Sequence, residues 1–177
     1  MADSSKDPVN KATDPLLRPI IFLDIDGVLN RHKHATHIRL EDDLVLHLKR
    51  LVDETIATIV LSTFWRHFDE YIAYILSRYG MASSRVIGKT PGVGHNKGAM
   101  VGRSASDVHE YASRAHEIEA WLASNHNSTK RFVILDDRPS ASNDNLKNHF
   151  VHVQTTSGLT AQNVDTAISI LQNDKQQ

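Results

Sequence analysis

The sequence predicts an α/β fold in which a parallel sheet carries helices on both faces. Short apolar runs, typical of buried strands, alternate with segments whose apolar residues recur every three or four positions, as in amphipathic helices. This alternation favours a parallel sheet, because parallel strands need a crossover connection between them. The length of 177 residues and the hydrophobic fraction of 40% fit one globular domain.

Five runs rich in β-branched and aromatic residues are predicted strands. They are residues 20–23 (IIFL), 55–61 (TIATIVL), 85–87, 132–135 (FVIL) and 150–153. Runs that are apolar throughout, such as the first and the fourth, indicate strands buried on both faces of the sheet.

Four segments with helical apolar stripes are predicted helices. The stripes cover residues 40–52, 68–79, 108–122 and 164–171. The second helix is expected to stop at Gly80, and Ser106 or Asp107 is expected to cap the start of the third. Residues 88–106 show little periodicity and are predicted to form a long surface loop, of the kind that is often functional.

The N-terminal residues 1–18 are predicted to be a flexible tail, followed by a domain over residues 19–173. No apolar run approaches the roughly 18–20 residues that span a bilayer. The N-terminus also lacks the apolar centre of a secretory signal. These features predict a cytoplasmic protein.

Charge and cysteine content exclude several classes of function. The net charge of −1 gives no overall attraction to nucleic acid or to an anionic membrane, although a local basic patch remains possible. The absence of cysteine excludes disulfide scaffolds, thiolate zinc sites, iron–sulfur clusters and cysteine nucleophiles.

Polar residues follow three of the predicted strands at the point where each strand ends. They are Asp24 and Asp26, Ser62 and Thr63, and Asp136 and Asp137. Ligands of open α/β sheets bind beyond the carboxyl ends of the strands. We therefore expect these side chains to meet at one edge of the sheet.

Asp24, Asp26 and Gly27 form the turn after the first strand. A carboxylate in this place can attack phosphorus and give an aspartyl-phosphate. A second carboxylate two residues later can protonate the leaving oxygen and then deprotonate water. Gly27 gives the backbone the freedom that a tight turn needs. A calcium loop of EF-hand type has similar spacing, but a helix precedes that loop, whereas an apolar strand precedes this one.

The second acidic pair, Asp136 and Asp137, is the natural partner for a metal ion. Carboxylate oxygens suit a hard cation such as Mg²⁺, and two acidic clusters at one edge repel each other unless a cation lies between them. The hydroxyl and N–H groups of Ser62 and Thr63 can bind a phosphoryl oxygen.

Basic residues that could clamp a phosphate group are Arg114, Lys97 and Arg103. A group of histidines, His32, His34 and His37, follows the acidic turn. Their spacing matches no metal signature, so a solvated loop is the favoured interpretation.

Four segments together resemble the haloacid dehalogenase-like (HAD) superfamily. They are LDIDGVLN at 23–30, LSTFWR at 61–66, Arg114 within RAHEIEAWL, and FVILDD at 132–137. Their order is similar to the four HAD motifs, and the resemblance spans about residues 19–172. In their residue patterns, the segments look closest to the small HAD domains of Swiss-army-knife RNA-repair proteins.

The resemblance implies a Rossmann-like fold and Mg²⁺-dependent phosphoryl transfer. By position, Asp24 is the nucleophile and Asp26 the general acid and base, and the Asp26 backbone carbonyl joins the Mg²⁺ shell. Asp136, with help from Asp137, completes the metal site.

The resemblance also implies a set of phosphate contacts. Thr63 is expected to bind the transferring phosphoryl group, with Ser62 as the competing register. Arg114 stands where the family usually has lysine, and Lys97 is the alternative. Further phosphate contacts are expected from Gly27 and Arg66.

The short connection between Gly27 and the first helix implies an essentially capless phosphatase with an open site. Such a site suits large phosphorylated substrates, including nucleic-acid ends and phosphoproteins, and leaves room for a partner protein. The alternative is a non-catalytic HAD-like module that binds a phosphorylated ligand or a protein partner.

Overall fold

A computed structural model describes residues 17–33, 35–92, 113–125 and 131–173 of the chain. Five strands and four α-helices alternate along it. They are β1 (Ile20–Leu23), α1 (Asp42–Thr55), β2 (Thr58–Leu61), α2 (Asp69–Arg78), β3 (Val86–Lys89), α3 (Arg114–Ser124), β4 (Phe132–Asp136), β5 (Phe150–His152) and α4 (Ala161–Asn173). Short 3-10 turns lie between several of these elements.

All five strands are parallel, in the order β3-β2-β1-β4-β5. The central strand β1 pairs with β2 on one side and β4 on the other, so that Ile21 lies beside both Ile59 and Val133. The chain first adds strands on one side of β1 and then crosses back to the other side. The order of the strands therefore reverses between β1 and β4, which is where open α/β sheets bind their ligands.

Two hydrophobic cores cover the two faces of the sheet. Ile21 and Leu23 of β1 belong to the core formed with α1, α2 and α4, whereas Ile20 and Phe22 belong to the core formed with α3. Both faces of the strand are buried because its residues alternate between the two cores. Right-handed crossovers in opposite directions along the sheet place helices on opposite faces. The prediction of a parallel sheet with helices on both faces is confirmed.

The connection between α1 and β2 differs from its prediction. Thr55 was expected in the second strand, but it is the last residue of α1, and its hydroxyl donates to the Leu51 carbonyl at 2.6 Å. Ile56 then adopts a left-handed conformation with φ of 56° and ends the helix. The strand β2 begins only at Thr58, because two residues are used for this turn.

The start of the predicted surface loop 88–106 also differs from the prediction. Gly88 and Lys89 belong to β3, where they pair with Val60 and Leu61. Residues 93–106 lie outside the described residues.

The third helix, α3, begins at Arg114, and its N-cap is Ser113, whose hydroxyl accepts the His116 N–H. The expected caps, Ser106 and Asp107, lie outside the described residues, and neither is the cap of α3.

The domain boundary at residues 19–173 and the tail at residues 1–18 stay predictions, because residues 1–16 lie outside the described part of the chain. Among the helices that the structure describes, none is long and apolar enough to cross a membrane.

Candidate active site

Asp24 directly follows the central strand and is 2% exposed. Its backbone N–H donates to the Leu135 carbonyl at 3.0 Å, which continues the sheet by one residue. Its carboxylate Oδ1 accepts the Ile25 N–H at 2.8 Å. The sheet and the following turn thus fix Asp24 at the point where the strand order reverses.

Three carboxylates converge at this point. One oxygen from each of Asp24, Asp136 and Asp137 lies within 4.8 Å of the other two. Asp136 Oδ1 accepts the Arg138 N–H at 2.8 Å, and Asp137 Oδ2 accepts the Thr155 hydroxyl at 2.7 Å. The remaining oxygens, Asp136 Oδ2 and Asp137 Oδ1, are buried and have no hydrogen-bond partner among the described residues. Each lies within ion-pairing distance of an arginine: Asp136 Oδ2 is 3.5 Å from Arg114 Nη1, and Asp137 Oδ1 is 3.8 Å from Arg138 Nε. Carboxylate oxygens that lack hydrogen bonds are the donors that a hard divalent cation prefers.

The carboxylates are held in an environment that opposes their charge. Burial raises the pKa of Asp24, although Arg114, the Ile25 N–H and the Thr63 hydroxyl partly offset it. Burial and the neighbouring Asp24 raise the pKa of Asp136 well above its ordinary value. A cation among the three carboxylates would reverse both effects, because an opposite charge favours the ionised form.

Arg114, the first residue of α3, is the basic group of this cluster. Its Nη1 lies 3.4 Å from Asp24 Oδ1 and 3.5 Å from Asp136 Oδ2, close enough for ion pairing but without hydrogen-bond geometry. Burial acts to lower the pKa of Arg114, but these two carboxylates outweigh it and the pKa is raised. Arg114 is therefore a buried cation that is ion-paired with two carboxylates and whose Nη1 makes no hydrogen bond among the described residues. The alternative, Lys97, lies outside the described residues.

Of the two hydroxyls after β2, Thr63 is the one that reaches Asp24. Its hydroxyl lies near enough to Asp24 to lower the pKa of that carboxyl, and it accepts the Trp65 N–H at 3.4 Å. The Ser62 hydroxyl is buried and has no hydrogen-bond partner among the described residues. Thr63, rather than Ser62, is therefore the hydroxyl next to Asp24, and its role in phosphate binding stays a prediction.

A family model described as the HAD domain in Swiss Army Knife RNA repair proteins matches residues 20–164. The chain belongs to this HAD family. No curated protein matches the sequence significantly. The matched range runs from the first residue of β1 into α4 and contains every residue of the carboxylate cluster.

Asp26, the second aspartate of the HAD turn, does not join the carboxylate cluster with its side chain. Its Oδ1 accepts the Asn30 amide at 2.9 Å, and its Oδ2 accepts the Trp65 indole N–H at 3.1 Å. The sequence analysis did not single out Asn30 or Trp65. Both lie inside the motif segments, and a fully buried asparagine is a signal that a polar partner is nearby.

Gly27 has two reasons to be glycine. Its φ of +80° is in the left-handed region, and a Cβ placed there would lie 2.4 Å from Asp137 Oδ2. The turn after β1 and the end of β4 therefore touch through a residue without a side chain. This close approach places the turn against the carboxylate cluster, and the phosphate contact expected of Gly27 stays a prediction.

Arg66 makes its described contacts inside the protein, and its expected role in phosphate binding stays a prediction. The side chain is 2% exposed, and its Nε donates to the Thr63 carbonyl at 2.7 Å. Its Nη1 contacts the Pro91 carbonyl at 2.7 Å and Glu117 Oε2 at 2.8 Å. Burial lowers the pKa of Arg66, and the ion pair with Glu117 opposes that effect. Arg66 thus ties the loops after β2 and β3 to α3, one turn beyond Arg114.

The connection between β1 and α1 contains no cap domain in its described residues, which are all but His34. The only regular pairing among them is a single bridge between Asp26 and Asn30. His32 and His37 of this connection are exposed, as expected for a solvated loop. The second place for a cap, within residues 93–112, lies outside the described residues, so the capless architecture stays a prediction.

Replacing Arg66 by Gln is expected to lower the free energy of unfolding by about 3–5 kcal/mol, because Glu117 is left without its buried cation. Urea denaturation measures the change. Arg50→Gln is the control, since Arg50 pairs with Glu54 and Asp165 at the surface and its loss should leave the midpoint almost unchanged. Equal midpoints for the two variants would contradict the structural role of Arg66.

Asp136→Asn is expected to raise the melting temperature measured with EDTA in neutral buffer. Folding raises the pKa of Asp136, so ionisation weakens the folded state as pH rises from the unfolded pKa through the folded one. The variant removes this penalty, and each 1 kcal/mol gained corresponds to about 2–4 °C for a chain of this size. Asp144→Asn, at an exposed position, is the control. A lower melting temperature for Asp136→Asn would show that the carboxylate stabilises the metal-free fold.

Proposed function

We propose that this HAD domain is a Mg²⁺-dependent phosphomonoesterase that acts through an aspartyl-phosphate on Asp24. The observation that carries the proposal is a set of buried groups around Asp24 that make no hydrogen bond among the described residues. These are Nη1 of Arg114 and one oxygen each of Asp136 and Asp137, which lie within ion-pairing distance of Arg114 or Arg138. A buried site whose cationic donor and anionic acceptors lack hydrogen bonds suits an anion and a cation bound side by side.

The metal would be held by Asp24, Asp136 and Asp137, with the Asp26 carbonyl as the further ligand that the family resemblance implies. When bound, Mg²⁺ would neutralise the carboxylates and stabilise negative charge on the transferring phosphoryl group. The raised pKa values of Asp24 and Asp136 are consistent with carboxylates arranged for a cation.

In the first step, a carboxylate oxygen of Asp24 forms a bond to phosphorus as the bond between phosphorus and the leaving oxygen breaks. The electron pair of that bond goes to the leaving oxygen, which takes a proton from the Asp26 carboxyl. The Arg114 N–H and the Thr63 hydroxyl lie beside Asp24, where they can donate to phosphoryl oxygens. The products are an alcohol and the acyl phosphate of Asp24.

In the second step, the Asp26 carboxylate accepts a proton from water as the water oxygen bonds to phosphorus. The bond between phosphorus and Asp24 breaks, and its electron pair returns to the Asp24 carboxylate. Inorganic phosphate leaves, and Asp26 is again protonated for the next cycle. Two aspartates with different surroundings therefore divide the work between nucleophile and proton carrier.

As substrate class we propose the phosphorylated end of a nucleic acid or a nucleotide. The family description refers to RNA repair proteins. Beside the carboxylate cluster, the guanidinium groups of Arg114 and Arg138 lie 5.4 and 5.1 Å from the centre of the Phe64 ring. The Arg138 side chain is 31% exposed, which places a positive charge where a second phosphate of a nucleic acid could approach.

The first test is hydrolysis of an aryl phosphate with Mg²⁺ or with EDTA by the wild type, Asp24→Asn and Asp26→Asn. We expect metal-dependent turnover that falls at least about 10²-fold in both variants, because Asp24→Asn loses the nucleophile and Asp26→Asn loses the base that activates water in the second step. Asp53→Asn, which changes an exposed carboxylate paired with Lys49, should retain activity.

The outcomes separate the alternatives. Activity that survives Asp24→Asn would mean that another group is the nucleophile. A wild type that binds Mg²⁺ and phosphorylated oligonucleotides without turnover would be a non-catalytic binding module. Faster turnover of phosphorylated oligonucleotides than of the aryl phosphate, with the preference weakening as salt rises, would support the nucleic-acid substrate.

A further inference from the structure

Two side chains from different motif segments hold the carboxylate of Asp26 from both sides. Asn30 donates to Oδ1 at 2.9 Å and Trp65 donates to Oδ2 at 3.1 Å. Asp26 is 6% exposed, Asn30 is fully buried and Trp65 is 8% exposed. The contacts are therefore shielded from water. A buried hydrogen bond of this kind fixes orientation more strongly than one at the surface.

The Asn30 amide is locked in one orientation. Its oxygen accepts the N–H groups of Gly27 at 3.3 Å and His32 at 3.0 Å. Its nitrogen donates to Asp26 and to the Arg39 carbonyl at 3.1 Å. A flip would exchange donor and acceptor in all four contacts, so the group facing Asp26 is fixed as an N–H donor.

Trp65 comes from the loop after β2, two residues beyond Thr63. An indole N–H can donate a hydrogen bond but cannot accept one. The indole thus links the loop after β2 to the turn after β1. It gives Asp26 a second donor that cannot take a proton from the carboxyl group.

We propose that Trp65 and Asn30, together called the Asp26 clamp, are positioning residues. They direct the proton of Asp26 to the leaving oxygen of the substrate. The proposal rests on the proposed function, in which Asp26 is the general acid. A carboxyl group has four lone-pair sites, and donor-only partners occupy one on each oxygen. The acid proton must lie on a remaining site, where its acceptors are the leaving oxygen or water, because neither clamp residue can accept it.

A positioning role predicts that the loss of rate depends on the leaving group, whereas a packing role does not. Leaving-group protonation matters for an alkyl phosphate, because an alkoxide is a poor leaving group. It matters little for a nitrophenyl phosphate, because nitrophenolate leaves readily without a proton. The loss of the clamp should therefore depend on the leaving group. The value of kcat/KM reports it, since that ratio includes the steps through departure of the leaving group.

The test compares kcat/KM of the wild type and Trp65→Phe on an alkyl phosphate and on 4-nitrophenyl phosphate. Since general acid catalysis contributes about 10²–10⁴-fold, we expect a loss of about 10- to 100-fold on the alkyl ester. The loss on the aryl ester should be less than about threefold. Trp121→Phe is the matched control: Trp121 is 7% exposed and packs against Phe22. Its replacement should change both substrates by the same factor.

Two further variants keep the test decisive if Trp65→Phe is unstable in a thermal melt. Asn30→Asp keeps the acceptor for Gly27 and His32 but removes the donor to Asp26, and it should show the same dependence on leaving group. In an Asp26→Asn background, Trp65→Phe should cause no further loss, since both changes remove one function.

Equal losses on both substrates, or a further loss in the Asp26→Asn background, would overturn the clamp and leave Trp65 as a packing residue. The wild type is measured first. Failure of the wild type to hydrolyse either ester would contradict the proposed function itself, and is thereby distinguished from failure of the clamp.

Discussion

Three carboxylates that share one end of the sheet are the constraint on which the rest of the site depends. Their oxygens lie within 4.8 Å of one another, and burial strengthens their mutual repulsion. Among the described residues, Arg114 is the cation within ion-pairing distance of two of them, Asp24 and Asp136. Arg138 Nε lies 3.8 Å from the third, Asp137 Oδ1, so two arginines face three carboxylates and excess negative charge remains. The fold therefore holds more carboxylate charge at this point than its own arginines balance.

Distant parts of the chain keep this arrangement in place. Gly27 allows the turn after β1 to touch Asp137, whose second oxygen is bound by Thr155 beyond β5. Arg66 binds Glu117 and so fixes the first turn of α3, from which Arg114 projects. The carboxylates and Arg114 lie at strand and helix ends, whereas Gly27 and Arg66, which support them, are buried. This division is what a preorganised site requires.

The sequence predicted the parts of this arrangement that depend on local pattern. Wholly apolar runs identified the central strands, and their terminal aspartates, Asp24 and Asp136, followed from the rule that parallel strands end at one edge. It did not predict contacts between distant segments. The partner of Arg66, Glu117, lies 51 residues away, and no local pattern around Arg66 indicates it. The indole of Trp65 likewise gave no sign that it reaches Asp26, because 39 residues separate them.

The account has its most direct test in the covalent intermediate. The protein is quenched with acid during turnover of an aryl phosphate and treated with borohydride, which reduces an acyl phosphate to an alcohol but leaves free carboxylates unchanged. Peptide mass analysis then locates the reduced side chain. The account predicts reduction at residue 24 alone. Steady turnover with no reduced carboxylate, or reduction at Asp26, Asp136 or Asp137 instead, would contradict it.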